Sequence, residues 1–485
     1  MAMSVMPDRP AVKDGTRRWT YAELDDLSSR AACLLTGHAT VVHVGVNGPV
    51  LPLLLFATAK AGVPLAVLNY RLSGDQLVAR LAELANPLVV TDERYLTTLA
   101  GAAPTVLVTE LIDRAATADR LVPRDLDERA AAVILFTSGT TSTPKGVVLR
   151  HDNLVSYVLD TVAFAGARDG DTALIATPPY HVAGVAAALT NVYSGRAMAY
   201  LADFSPSVWL DAVRANQVTH AMVVPTMLAR IVEHLGGASA DVPSLRSLAY
   251  GGARMPRPVL ERVLAAFPGV DFVNAYGLTE TSSTIAVLGP DDHRAAVTST
   301  DPAVRDRLSS VGRLVPGVEA QVRDPAGLVL PVGETGLLWV RGPQVSGEYL
   351  HGSALDPQGW FPTADRARLD TDGYLFMEGR ADDTIIRGGE NIAPAEIEDA
   401  LLAHPGVRQA AVVGLPDDEW GERIAAAVVA DDPTVTAAVL RAWCRERLRG
   451  SRTPDEVFLV PELPHTETGK LIRRSVVSLI TEVRA

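Results

Sequence analysis

Hydrophobic and polar positions change rhythm along this chain, and the changes divide it. The run Thr20-Tyr21-Ala22-Glu23 sets a hydroxyl three residues ahead of a carboxylate, with Leu24, Leu27 and Ala31 following at helical intervals. That spacing predicts a helix opened by a capping box, in which Thr20 and Glu23 each satisfy a backbone N–H near the other. The most apolar stretch, 50–59, is interrupted by Pro52 and closed by Lys60. It falls well short of the roughly 20 residues needed to span a bilayer, so it predicts a buried helix and no membrane span. Short apolar runs at 131–136, 222–224 and 272–275 are bounded by turn or polar residues and predict buried strands. Amphipathic segments such as 207–215 and 256–266 alternate with them. This βαβ rhythm predicts mainly parallel sheets with helices on both faces.

After about Thr300 the texture shifts to short alternating segments between Gly and Pro turns, as at 336–341 and 374–378, which predict antiparallel strands. From Asp382 onward a segment of about 100 residues, within the usual domain range, reads strand, helix (394–404), strand (409–413), strand (424–429), helix (435–448). The predicted class is therefore α/β. A large N-terminal domain, 1–380, combines mainly parallel sheets flanked by helices with an antiparallel subdomain, and a small mobile α+β C-terminal domain spans 381–485. The length of 485 residues agrees, since single cores stop growing at roughly 250–300.

Composition narrows the function classes. At 48% hydrophobic and 21% charged the chain is an ordinary globular protein. Its net charge of -13 leaves no basic field for a phosphate backbone or an anionic membrane, which argues against a nucleic-acid partner. Cys33 and Cys444 have neither metal nor redox spacing, and no basic-then-apolar leader precedes Asp8. A cytoplasmic location is expected. Usage rich in Ala, Val and Arg points to a high-GC bacterium and secondary metabolism.

The sharpest chemical signal is Thr137-Ser138-Gly139-Thr140-Thr141-Ser142-Thr143-Pro144-Lys145-Gly146, which follows the predicted strand at 131–136. Six of the seven residues from Thr137 to Thr143 carry hydroxyls. Hydroxyl and backbone N–H donors on a glycine-permitted turn, with one lysine, can wrap the phosphates of a nucleotide. Pro144 stands where a Walker loop has the glycine before its lysine. The composition alone equally describes a solvated linker. The position between two apolar runs, 131–136 and 147–149, favours the phosphate loop.

This loop resembles the phosphate-binding signature of the adenylate-forming superfamily of acyl-CoA synthetases, luciferases and peptide-synthetase adenylation domains. Further segments agree in the family's order. Tyr276-Gly277-Leu278-Thr279-Glu280 resembles its Y-G-x-T-E motif, Gly251-Gly252-Ala253 its adenine-side turn, and Trp360-Phe361-Pro362-Thr363-Ala364-Asp365 its ribose-binding motif. Gly379-Arg380-Ala381-Asp382-Asp383 with Gly388-Gly389-Glu390-Asn391-Ile392 is similar to the hinge and thiol-side loop, and Thr468-Gly469-Lys470 carries the terminal lysine. The matches run from about Trp19 to Arg474.

The resemblance implies ATP-dependent activation of a carboxylic acid to acyl-AMP, then thioester formation with coenzyme A. The cofactors implied are ATP and Mg²⁺, with coenzyme A as thiol co-substrate. In that scheme Thr137, Ser138, Gly139, Thr140, Thr141 and Lys145 hold phosphates, and Glu280 is the Mg²⁺ ligand, since Mg²⁺ takes one or two carboxylates plus phosphate oxygens. Thr279 contacts the α-phosphate and Tyr276 flanks the adenine. Asp365 accepts the ribose hydroxyls, and Arg380 bonds ribose or phosphate. Lys470, otherwise an ordinary surface lysine, reaches the α-phosphate and the substrate carboxylate. Asp382 is the hinge about which Lys470 and then the Gly388-Gly389 loop are presented. One residue departs from the family: Ala364 replaces the usual glycine before the ribose aspartate. If that position requires positive φ, alanine there should shift Asp365 and weaken ATP binding.

His181, in Pro178-Pro179-Tyr180-His181-Val182-Ala183-Gly184, reads either as a satisfied core histidine or, by resemblance, as a gate at the acyl pocket. Amino-acid-activating relatives place an aspartate nearby to pair the α-ammonium, so His181 disfavours an α-amino acid. Ala183, Gly184, Ala186, Ala187 and Ala188 leave room for a bulky apolar acid or else serve close helix packing. Arg254 reads as a surface arginine or as the partner of a second carboxylate. Two alternatives stand beside the main reading: loading of a carrier protein, or one half-reaction beside a partner enzyme, and a non-catalytic nucleotide-binding relative.

Overall fold

A computed structural model describes residues 2–484 except 16, 123–124, 138–143, 389, 418 and 467–470. The capping box forms as expected: Glu23 N–H donates to Thr20 Oγ1, and Thr20 N–H donates to Glu23 Oε2 at 2.7 Å, opening the helix Tyr21–Leu35. The apolar stretch becomes the helix Val50–Ala61. Pro52 sits in its first turn, where a missing N–H leaves no bond unmade. Leu51, Leu53 and Leu54 are fully buried, each contributing roughly 1.5–3 kcal/mol of apolar burial. No helix among the described residues is long and apolar enough to cross a membrane.

Two large sheets build the N-terminal domain. One runs through the parallel strands Thr172–Ile175, Ala197–Tyr200, His220–Val223, Ser247–Gly251 and Asp271–Leu278, then adds Ser283–Leu288 antiparallel. The other is parallel through Thr40–Val44, Leu65–Val67, Pro87–Thr91, Thr105–Leu107 and Ala131–Thr137, and Lys145–Arg150 returns antiparallel. Amphipathic helices such as Pro206–Ala215 and Arg257–Ala266 cover the first sheet, burying Trp209, Leu210, Leu260 and Val263. The alternating segments after Thr300 form the antiparallel sheet Glu319–Arg323, Gly336–Arg341, Phe361–Leu369, Leu375–Arg380.

The smaller C-terminal domain has its own sheet, made of Ile385–Arg387, Glu390–Ile392, Val407–Asp417, Gly421–Ala430 and Glu456–Leu459. The helices Pro394–Leu402 and Ala437–Arg447 pack on one face of it, and Arg473–Arg484 lies on the other. The strand expected at 409–413 is longer, because Leu415 and Pro416 continue the ladder opposite Arg423 and Glu422.

Candidate active site

The two strands that flank the expected phosphate loop are paired with each other. Ala131–Thr137 and Lys145–Arg150 pair antiparallel, with Thr137 opposite Lys145 and Phe136 opposite Gly146. A Walker loop instead leads into a helix, so the strand-to-strand geometry agrees with the absent Walker pattern. Ser138, Gly139, Thr140 and Thr141 lie outside the described residues, as do Gly389 and Lys470.

Lys145 extends over the ring of Tyr349, with Nζ 5.5 Å from its centroid. The Tyr349 hydroxyl donates to Glu280 Oε1 at 3.0 Å. Burial and then the charge of Glu280 push this phenol well above its ordinary range, so it stays a neutral donor. Glu280 occupies the turn Thr279–Thr281 directly after the strand Asp271–Leu278. Its carbonyl accepts from Ser346 N at 2.8 Å and Gly347 N at 3.2 Å, so the turn and the segment bearing Tyr349 are joined through backbone as well. The short strand Glu348–Tyr349 is fastened to Lys145–Arg150 by the two-pronged pair of Arg150 with Glu348, both contacts at 2.7 Å. Sequence reasoning passed over Tyr349. Its only signal was an aromatic in a glycine-flanked segment, and nothing local tied it to Glu280.

A second cluster forms around Asp365, which is only 7% exposed. Tyr276 OH donates to its Oδ2 at 2.6 Å and Arg380 Nη1 to its Oδ1 at 3.1 Å. Arg380 meets Asp365 because their strands pair in a register that sets the two residues opposite each other. Burial, reinforced by the Asp365 charge, raises the Tyr276 phenol, which keeps its proton and donates. Ala364, one residue before, has φ of +60°, a left-handed conformation rare for a residue with a side chain. The positive φ that the sequence raised as a condition is therefore present. With this backbone at Ala364, both carboxylate oxygens of Asp365 hold their partners.

Two glycines in these motifs are required by close backbone approach. A Cβ on Gly251 would stand 2.1 Å from the Ala275 carbonyl oxygen, and one on Gly277 would stand 1.7 Å from that of Ser283. Gly251 thus ends a strand packed tightly beside the strand that carries Tyr276, and Gly252 and Ala253 follow it.

His181 caps the helix Val182–Ser194, its ring 4.6 Å from that of Tyr180. Its Nε2 is buried without a hydrogen-bond partner, and burial lowers its pKa to about 4, so the ring is neutral near pH 7. The small residues after it divide. Gly184 lies so near Pro178 that a Cβ would be 2.8 Å from its carbonyl oxygen, Ala186 packs on Tyr157 and Val158, and Ala188 joins the main core. Ala183 and Ala187 stay partly exposed.

In the C-terminal domain Asp382 is exposed in the turn Ala381–Asp383. Gly388 is exposed too, and its N–H donates to the Trp420 carbonyl at 2.8 Å. Among the described residues no group of three or more His, Cys, Asp or Glu could hold a metal. The lone carboxylate of Glu280 fits an ion such as Mg²⁺, which takes most of its ligands from phosphates and water. The structure thus brings together Lys145, Tyr349 and Glu280 in one cluster and Tyr276, Asp365 and Arg380 in another. Acidic and basic groups sit around polar, backbone-lined strand ends, an arrangement suited to holding a nucleotide and an incoming anion.

Residues 2–350 match the AMP-binding enzyme family, and residues 396–470 match the AMP-binding enzyme C-terminal domain. A feruloyl-CoA synthase from Amycolatopsis sp is 35% identical across 97% of this chain and 96% of its own length. A 2-succinylbenzoate--CoA ligase from Bacillus cereus is 31% identical across 98% and 97%. Among solved structures, o-succinylbenzoate CoA synthetase from Bacillus subtilis in complex with its acyl-adenylate intermediate superposes with a TM-score of 0.85 at 29% identity, over 98% of this chain and 96% of that one. ATP-bound MatB from Rhodopseudomonas palustris gives 0.87 at 28%, over 99% and 97%. With matches covering both halves of the chain and relatives aligned end to end, the protein belongs to the AMP-binding enzyme family and is an adenylate-forming acid–thiol ligase of the acyl-CoA synthetase class.

Proposed function

We propose that the acid is bulky and mainly apolar, of the aromatic carboxylate type, and that the two clusters around Asp365 and Glu280 serve its activation. The observation carrying the substrate reading is His181: a neutral imidazole with a buried, unpartnered Nε2 opens the helix on which Ala183 and Ala187 keep a partly open face. That entrance offers no anion to an α-ammonium group. The relatives named for feruloyl and 2-succinylbenzoate substrates, both aromatic, support the same class.

In the first half-reaction a carboxylate oxygen of the acid bonds to the α-phosphorus of ATP as pyrophosphate leaves. In the second the coenzyme A sulfur bonds to the acyl carbon, AMP leaves, and the thiol proton passes to solvent. Positioning and charge compensation carry the first step. In this reading Thr137, Ser138, Gly139, Thr140, Thr141 and Lys145 hold phosphates, Gly251, Gly252, Ala253 and Tyr276 border the adenine, and Asp365 with Arg380 holds the ribose. Thr279 meets the α-phosphate, and Lys470 bridges it to the acid. Glu280 would hold Mg²⁺, which offsets phosphate charge when bound. The domain division falls at 380/381 with Asp382 as pivot, and the loop at Gly388 and Gly389 serves the thiol. ATP and coenzyme A as supplies, and two unpaired cysteines, suit the cytoplasm.

A pyrophosphate-release screen of ferulate, cinnamate and benzoate against acetate and malonate tests the substrate class. Burying a phenyl group contributes roughly 2–3 kcal/mol, so the aromatic acids should exceed acetate in kcat/KM by on the order of 100-fold. Acetate or malonate as best substrate would overturn it. Coenzyme A compared with a holo carrier protein as acceptor then tests the thiol; faster transfer to the carrier would replace coenzyme A as acceptor.

A further inference from the structure

Arg254 follows directly on the Gly251-Gly252-Ala253 turn, and its guanidinium does not face solvent alone. Both of its terminal nitrogens bond the Asp399 carboxylate on the C-terminal domain's helix Pro394–Leu402, Nη1 to Oδ1 at 2.8 Å and Nη2 to Oδ2. The pair is two-pronged and about two-thirds withdrawn from water, at 36% and 32% side-chain exposure. It crosses from one domain to the other, and Arg408 to Glu233 at 3.7 Å is a second crossing contact. The residue before Asp399, Glu398, is buried and holds Arg473 at 2.6 Å. Arg473 also reaches Asp383 at 3.3 Å, beside the pivot residue Asp382. The Arg254 contact is thus coupled, through one helix, to the pivot and to the segment that follows Lys470 in sequence.

In this orientation the thiol-side hairpin points outward. Ile386 in the strand Ile385–Arg387 is 56% exposed and Trp420, against Gly388, is 46% exposed. Gly388, in the loop that must approach the acyl carbon for thioester formation, is exposed as well. We infer that the Arg254–Asp399 pair is a latch that holds the small domain in the orientation used for adenylate formation, and that its release lets the domain turn to the thioester-forming one. This rests on the two-step reading above. Charge-assisted, two-pronged pairs are geometrically selective, so this one favours a single docking angle over others that leave both groups in water. Arg254 and Asp399 are positioning residues.

The test separates the latch from the substrate reading. Spin labels on D291C in the large domain and E446C in the small one, both at well-exposed positions, report the interdomain distance by pulsed EPR in a Cys33→Ser background. The native pair should give one dominant distance with ATP and Mg²⁺. Asp399→Asn should move a sizeable fraction to a second distance, and the swapped pair, Arg254→Asp with Asp399→Arg, should return it. With ferulate as probe, Asp399→Asn should slow pyrophosphate exchange by about two- to fivefold, the upper range of a partly exposed ion pair. Transfer from synthetic feruloyl-AMP to coenzyme A should be undiminished, and the swap should restore exchange. A distance distribution unchanged by Asp399→Asn overturns the latch, as does equal loss of both half-reactions or failure of the swap to restore the distance. If the native enzyme ignores ferulate, the aromatic-acid reading fails while the distance measurement still decides the latch.

Discussion

Replacing Ala364 by glycine isolates a single strained residue beside the buried Asp365. Its φ of +60° places the methyl group in the left-handed region, which costs an L-residue roughly 1–2 kcal/mol. Glycine adopts that conformation freely but loses more freedom on folding, about 0.5–1 kcal/mol relative to alanine. The difference predicts that Ala364→Gly stabilises the large domain by about 0.5–1 kcal/mol. Since 1 kcal/mol moves the midpoint of a 150–250-residue domain by roughly 2–4 °C and less as the domain grows, thermal unfolding of this larger domain should shift upward by about 1 °C. The strain is already borne in the folded chain, where Tyr276 and Arg380 hold Asp365 in place. Little of the gain should therefore reach ATP binding, and the KM for ATP from pyrophosphate release should change by less than about twofold. Ala364→Val, with a branched Cβ at the same φ, should lower the midpoint instead. A severalfold fall in the KM for ATP without any gain in midpoint would refute this reasoning. It would mean that the methyl disturbs Asp365 only when nucleotide arrives.

Other outcomes follow from the same geometry. Tyr349→Phe removes the hydroxyl from Glu280 while keeping the ring under Lys145, so the Mg²⁺ concentration for half-maximal pyrophosphate release should rise severalfold with the KM for the acid unchanged; equal Mg²⁺ curves would sink it. Lys470→Ala should abolish adenylate formation yet leave most transfer from synthetic acyl-AMP, and equal loss of both steps would end that division of labour. Ala186→Leu should destabilise the fold by about 1–3 kcal/mol through overpacking against Tyr157 and Val158, whereas Ala187→Leu should mainly reduce activity on the largest acids, read from Tm and a chain-length series. His181 resists protonation in the folded state, with a pKa of about 4 against an ordinary 6.5, so the unfolded chain binds the extra proton first. Its share of stability is full above pH 6.5 and falls as pH drops toward 4, by about 2 kcal/mol at pH 5, and His181→Gln should flatten that part of a Tm-against-pH curve.

Local chemistry was legible in the chain itself. Thr20 and Glu23 announce their capping box because both partners lie within one turn, and the run at 131–136 declares a buried strand because burial on both faces demands unbroken apolar side chains, whereas 272–275 forms a strand in which Asn274 interrupts the run and only Phe272 is buried. Motif order was legible for the same reason, each motif being a contiguous piece of backbone. What only the tertiary structure decided are the meetings between distant pieces. Glu280 and Tyr349 are 69 residues apart and Arg254 and Asp399 are 145 apart, and no periodicity encodes such pairings. They arise from strand register and domain docking, which depend on how whole faces fit. The small residues after His181 show the limit most clearly: the same alanine composition serves helix packing at Ala186 and a partly open face at Ala183. Only the rotation of the helix against its neighbours, set by the volume of Tyr157 and the approach of Pro178, tells the two apart.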